Sequence, residues 1–195
     1  MGKPLPPDDD RLLQHSGFIE ESATGSLRIL DLGCGPGRDT LHLVKFGSVT
    51  AADINPKRLS ECSLSAPAAQ LIRLDISQPL PFRSESFDFI LASLSLHYFT
   101  WTSTLRIADE MRRCLAPAGR CIVRLNSTND SNYGATSDDM IEPNYYRVGP
   151  AKKRFFDRAS VQQMFHDWDI RGATEQQINR YQKLKRVWEV VLLNA

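Results

Sequence analysis

The chain has 195 residues, 42% hydrophobic and 24% charged, which is enough apolar material for one domain with its own core. Twenty-four basic side chains stand against 23 acidic ones, a formal net charge of +1, so no global field favours a nucleic acid or a membrane surface. Cys34, Cys62, Cys114 and Cys121 form no C-x-x-C pair and have no histidine at zinc spacing, which reads as reduced thiols in a cytoplasmic protein with no metal site.

The opening "MGKPLPPDDD" has no apolar h-region, so no secretion signal is expected. Pro6 stands where a myristoylation pattern needs Ser or Thr, and no apolar run is long enough to span a bilayer. A helix over 9–21 would carry His15 and Phe18 toward a ligand. "RILDL" (28–32) is a short apolar run ending in an acid and glycines, a buried strand. Residues 37–46 read as a helix with Leu41, Leu43 and Val44 inward, stopped by Gly47. "VTAAD" (49–53) is a second strand. Asn55 then caps a helix with Pro56 in its first turn.

"QLIRLD" (70–75) and "SFDFILAS" (86–93) are the third and fourth strands. A helix over 102–116 ends at "PAG", and "RCIVRLN" (120–126) is the fifth strand. This alternation predicts right-handed crossovers and a parallel sheet. Residues 127–150 show no period and are rich in Ser, Asn, Asp and Gly, so they read as a long loop leaving the carboxyl edge of the sheet. Asp157 would cap a helix over 158–168. "ATEQQINRYQ" and "RVWEVVLLN" then form an antiparallel hairpin.

Glycines 33, 35 and 37 give G-x-G-x-G. The dinucleotide fingerprint needs its third glycine at 38, where Arg38 stands, and no G-K-[ST] follows for a P-loop. The loop fits a nucleoside whose other end is small and lacks phosphate, or simply a tight turn. Asp53, twenty residues after Gly33, can accept from both ribose hydroxyls. Asp75 with the Ile76 N–H can satisfy an adenine amino group and its ring acceptor. Either aspartate alone also fits a strand-end residue capping the next helix.

As a set, "ILDLGCGPGRDT", "VTAADINP", "RLDISQPLPF", "SFDFILASLSLHYF" and "LAPAGRCIVRLN" resemble the successive motifs of class I S-adenosylmethionine-dependent methyltransferases of the small methyltransferase-domain type. "GRDT" is similar, more loosely, to tellurite-resistance and thiol methyltransferases. The resemblance implies an α/β fold: a Rossmann-like, seven-stranded, mostly parallel sheet of order 3-2-1-4-5-7-6, strand seven antiparallel, with helices on both faces. It implies a single domain over 1–195, with 1–26 as an N-terminal lid and 127–150 as a substrate-side loop. It implies S-adenosylmethionine as cofactor. Asp31, Gly33, Cys34 (through backbone), Gly35 and Gly37 would line its methionine end, and Ala92 and Ser93 would face the amino group. Asp53 would hold the ribose, with Ile54, Asp75 and Ile76 around the adenine.

An acceptor such as an amine or alcohol must also lose a proton. His97, just after strand four, is the candidate base or acceptor orienter, with packing and capping as the plainer alternatives. Asn126, Asn129 and Tyr133 could bond the acceptor, and Tyr145 or Tyr146 could stack on it. Tyr98 and Phe99 read as pocket wall or core, and His42 and His166 as surface or cap residues. "AKKRFF" (151–156) fits an anion site through Lys152, Lys153 or Arg154, or a solvated charge run. The expected protein is a cytoplasmic methyltransferase of a small molecule, monomer or homodimer, binding neither nucleic acid nor membrane. The alternatives are a non-catalytic cofactor-binding partner, or an enzyme methylating a protein side chain or terminus. An NAD(P)-dependent oxidoreductase fits Arg38 poorly.

Overall fold

The computed structural model of the protein describes residues 12, 15–20, 26–178 and 183–194. Among these residues, ten strands and five α-helices follow in chain order: α1 (Ser16–Glu20), β1 (Leu27–Leu32), α2 (Thr40–Leu43), β2 (Gly47–Asp53), α3 (Pro56–Ser65), β3 (Gln70–Arg73), β4 (Phe87–Ser93), α4 (Trp101–Cys114), β5 (Leu115–Asn126), β6 (Met140–Glu142), β7 (Tyr145–Val148), β8 (Ala151–Arg154), α5 (Arg158–Met164), β9 (Asp169–Ile178) and β10 (Lys185–Leu193).

Seven strands form one sheet of order β3-β2-β1-β4-β5-β10-β9. The pairs through β3, β2, β1, β4 and β5 are parallel, and β10 is antiparallel to both β5 and β9. With β9 and β10 counted as the sixth and seventh strands of this sheet, the order is 3-2-1-4-5-7-6, as the resemblance implied. Both faces are covered. One carries Ile19 of α1, Leu43 of α2 and Leu59 and Cys62 of α3 over Ile29, Val49, Ala51, Phe89, Leu91 and Ile122. The other carries Ile107 and Met111 of α4 and Val161, Met164 and Phe165 around α5 over Leu30, Ile90, Val123 and Val190. The chain crosses from one side of β1 to the other between β3 and β4. The carboxyl ends of β1 and β4 therefore flank the point where open α/β sheets bind ligands.

Local signals set most element ends. The Asn55 side chain accepts from the N–H groups of Lys57 and Arg58, and Asp157 with Ser160 forms a capping box at α5. Several expectations need correction. The helix expected over 37–46 is confined to Thr40–Leu43 between turns, and Leu41 is exposed. Gly47 opens β2 instead of stopping a helix, because a Cβ there would lie 2.0 Å from the Leu27 carbonyl oxygen. The third strand ends at Arg73. The fifth reaches back to Leu115 and absorbs "PAG", with Ala118 at a φ of 56°. The stretch 127–150 is not a plain loop. It holds a 3₁₀ turn (Ser131–Tyr133), β6 and β7, and with β8 the last two make a separate three-stranded antiparallel sheet. Of the expected helix over 9–21, Ser16–Glu20 is helical; residues 9–11, 13, 14 and 21 lie outside the described residues.

Candidate functional site

The loop after β1 is shaped by three glycines with positive φ: 85° at Gly33, 55° at Gly35 and 82° at Gly37. Gly33 meets the Ser95 side chain and Gly37 meets Cys62, with no room for a Cβ at either. Nothing lies within 4 Å of a Cβ built at Gly35, so this residue faces open space. The N–H groups of Gly33 and Cys34 donate to the Ala52 carbonyl (2.8 and 2.9 Å), and that of Gly37 to the Cys34 carbonyl (3.1 Å). The Gly35 N–H donates to Asp53 Oδ2 (2.9 Å). The Gly33, Cys34, Gly35 and Gly37 N–H groups are therefore spent within the fold. Below it, buried Asp31 accepts from Thr40 Oγ1 (2.6 Å).

Asp53 ends β2. Its Oδ1 accepts from the Asn55 N–H (2.8 Å), and each carboxylate oxygen keeps a second lone pair. Ile54, beside it, is 56% exposed, an apolar side chain left at the rim. Asp75 Oδ1 accepts from the Ser77 N–H and hydroxyl (2.9 and 2.7 Å), and Ile76 is buried. Asp75 thus does organise the following turn, with Oδ2 left over. Ala92 and Ser93 close β4. The Ser93 and Ser95 hydroxyl oxygens are buried without a hydrogen bond, although such groups are costly to leave unsatisfied. Glycine loop, Asp53, Ile54, Ser93 and Ser95 all stand along the carboxyl ends of β1, β2 and β4.

The acceptor-side candidates fall on the far side of β4. His97 sits in a 3₁₀ turn (Leu96–Tyr98), is buried, and its Nδ1 makes no hydrogen bond. Burial, reinforced by the Lys185 and Lys153 charges, pushes its pKa down to about 3, so the ring is neutral near pH 7. Asn126 is fully buried; its amide donates to the Arg154 carbonyl (3.4 Å) and its Oδ1 makes no hydrogen bond. The Tyr133 hydroxyl donates to the Lys183 carbonyl (3.0 Å) and accepts from the Lys183 N–H (3.2 Å).

Other candidates are otherwise engaged. Asn129 donates to Glu175, the Tyr145 hydroxyl donates to the Tyr98 carbonyl, and Tyr146 packs near Phe155. The "KKR" run divides by depth: Lys152 is exposed, Lys153 is half-buried, and Arg154 is buried in an ion pair with Glu142. His166 is exposed and contacts Asp167 (3.2 Å).

The sequence reading missed a buried ionic cluster. Arg124 of β5 faces Glu189 of β10 in register, and its Nε donates to Glu189 Oε2 (2.9 Å). Glu189 also accepts from His15 (2.7 Å) and Gln176 (2.9 Å), so His15 bonds the β10 carboxylate. Burial alone would raise the Glu189 carboxyl; the His15 hydrogen bond and the Arg124 charge outweigh it and hold the pKa at about 2. Arg124 Nη1 lies 3.8 Å from Asp39 beside the glycine loop. Nearby, Lys185 Nζ donates to buried Asp130 (2.7 Å). The available signal was one charge set in each apolar run, "CIVRLN" and "VWEVV", but only the hairpin register brings the two together.

Residues 30–123 match the family described as "Methyltransferase domain". An uncharacterized methyltransferase of Synechocystis sp. is 32% identical over 93 residues, 47% of this chain and 43% of that protein. The chain spans less than half the length of the curated relatives it matches. Among solved structures, an S-adenosylmethionine-dependent methyltransferase of Methanosarcina mazei superposes with a TM-score of 0.75 at 18% identity, covering 90% of this chain and 96% of that one. The 1,6-didemethyltoxoflavin-N1-methyltransferase of Burkholderia thailandensis, solved with 1,6-didemethyltoxoflavin and S-adenosylhomocysteine bound, gives 0.70 at 16% identity, covering 95% and 79%. At these identities the structural likeness is one of fold.

Proposed function

We propose that this chain, which carries a class I S-adenosylmethionine-dependent methyltransferase domain, moves the sulfonium methyl of S-adenosylmethionine to a nucleophilic oxygen, nitrogen or sulfur of a small molecule, releasing S-adenosylhomocysteine. The observation that carries this reading is the 2.9 Å hydrogen bond from the Gly35 N–H to Asp53, which brings the glycine loop and a strand-end carboxylate together at the crevice expected along this edge of the sheet. The cofactor fits that crevice on two further counts. Gly35 leaves the space that a Cβ would fill, and the buried Ser93 hydroxyl lacks a partner that an amino-acid end would give it. The Gly33, Cys34, Gly35 and Gly37 N–H groups are used within the fold, and Arg38 stands where the dinucleotide fingerprint needs its third glycine.

Asp53 would accept from the ribose hydroxyls, and Ile54 would lie against the adenine. Asp75 Oδ2 and the Ile76 N–H would read the base edge. Gly33, Cys34, Gly35 and Gly37 would pass beneath the methionine end, steadied by Asp31 and Thr40, with Ala92 and Ser93 at its amino group. When bound, the cofactor supplies a methyl already activated for in-line displacement. The chain's own task is to position the acceptor and exclude water, which can lower a barrier by about 7–11 kcal/mol. His97, neutral and nearly inaccessible, serves as an orienter; a base with a pKa of about 3 removes few protons near pH 7. That favours an acceptor acidic enough to ionise unaided. The small-molecule methyltransferase of B. thailandensis supports the acceptor's size.

Calorimetry with S-adenosylhomocysteine and labelled-methyl transfer into a fractionated cell extract test the reading. Binding by the wild type, weakened about tenfold or more by Asp53→Ala, and label in a low-mass fraction are expected. Binding that Asp53→Ala leaves untouched would overturn the site, and label confined to protein would overturn the small-molecule acceptor.

A further inference from the structure

Beyond the crevice, two lysines from distant parts of the chain converge on one aromatic ring. Lys185 Nζ lies 4.6 Å and Lys153 Nζ 6.0 Å from the centroid of Tyr133. The ring is held at its far end by the two hydrogen bonds between its hydroxyl and the Lys183 backbone. Lys185 is buried and bonded to Asp130, whereas Lys153 makes no ion pair among the described residues; its Nζ has only the Tyr133 carbonyl at 3.5 Å. Two ammonium groups against one carboxylate leave a local charge of +1. Neutral His97 adds nothing to that sum. An ammonium drawn half out of water without a counter-ion is unfavourable, and an anion there would offset the cost. Buried polar atoms without hydrogen bonds, His97 Nδ1 and Asn126 Oδ1, belong to the segments beside it: β8, which carries Lys153, packs on the His97 turn, and the Arg154 carbonyl bonds Asn126.

We infer that Lys153 and Lys185, gathered at the Tyr133 ring, form a subsite for a singly charged carboxylate, the anchoring group of the methyl acceptor, held beside His97. That this anion is the acceptor rests on the methyl-transfer reading; the anion site itself does not. A monoanion matches the net charge of the cluster, whereas a phosphate dianion would overshoot it beside Asp130. The neighbouring Lys152 takes no part, since it is exposed on β8.

The test uses full-length protein with ¹³Cε-labelled lysine in the presence of S-adenosylhomocysteine, titrated with sodium benzoate and with benzamide, its neutral counterpart in shape. Benzoate should shift the Lys153 signal saturably and bind about tenfold more tightly than benzamide. Lys153→Gln should abolish that preference and Lys152→Gln should keep it, with S-adenosylhomocysteine affinity the same in both. Lys185 is left intact, because its removal would strand Asp130 in the interior. Equal binding of benzoate and benzamide, a preference that survives Lys153→Gln, or tighter binding of inorganic phosphate would overturn the subsite. Selective benzoate binding in a protein that never binds S-adenosylhomocysteine would overturn methyl transfer and leave the carboxylate site standing.

Discussion

The three loop glycines have different duties, and substitution should separate them. Alanine at 33 must adopt a φ of 85° and place its Cβ 2.3 Å from Ser95 Cβ. The backbone cost of about 1–2 kcal/mol is then joined by overpacking of about 1–3 kcal/mol. Alanine at 35 meets the backbone cost alone, because nothing stands in its way. Urea denaturation should therefore show Gly33→Ala as the more destabilised variant. Gly35→Ala should remain folded yet lose S-adenosylhomocysteine affinity in calorimetry, since its methyl enters the space assigned to the ligand. The glycine spacing and the place of Asp53 at a strand end were legible in the sequence, because loop geometry and strand ends are local properties; Asp75 falls two residues beyond its strand, in the turn that it bonds. Which glycine touches protein and which faces open space was not, because Ser95 and Cys62 come from other elements.

At the scale of the elements, the β5–β10 pairing carries an interior ion pair between Arg124 and Glu189. Glu189→Leu leaves the buried guanidinium with only the longer 3.8 Å contact to Asp39 and should cost about 3–5 kcal/mol. Pairing it with Arg124→Met removes both charges, and the double variant should recover most of that loss. A double-mutant cycle by chemical denaturation checks this; a double variant as unstable as the single one would show that the pair is not the source. The hairpin was readable from two strand-like stretches and the short basic connection between them. The second sheet was not. Its strands are three or four residues long, too short for a two-residue period to register, and they are held by long-range bonds such as Arg154 to Glu142 and Tyr145 to the Tyr98 carbonyl.

Across the whole molecule, acid should act through two buried groups. His97 has a pKa of about 3 when folded against an ordinary value of 6.5, so unfolding takes up a proton between those limits. Its contribution is complete above about pH 6.5 and shrinks as the pH falls toward 3. Glu189, at about 2 against 4.5, adds a second loss that begins only below about pH 4.5. Stability measured by urea denaturation should decline from pH 6.5 to 4.5 in the wild type and run flatter over that range in His97→Leu. A slope unchanged by the substitution would place the proton uptake elsewhere. The sheet order was legible through the resemblance and the alternation of elements. The polar interior at its carboxyl end was not, because it is assembled from strands that meet only in the finished sheet.

The antiparallel insertion of β10 between β5 and β9 has a consequence for how the crevice comes into being. Strands β1 to β4, with the glycine loop and Asp53, are complete once residue 93 has left the ribosome. The strand bearing Lys185 and Glu189 is made after every other strand of this sheet; until then β5 has only β4 beside it and β9 has no partner. The half of the proposed cleft that would hold the nucleoside can thus form during synthesis before the half proposed for the acceptor.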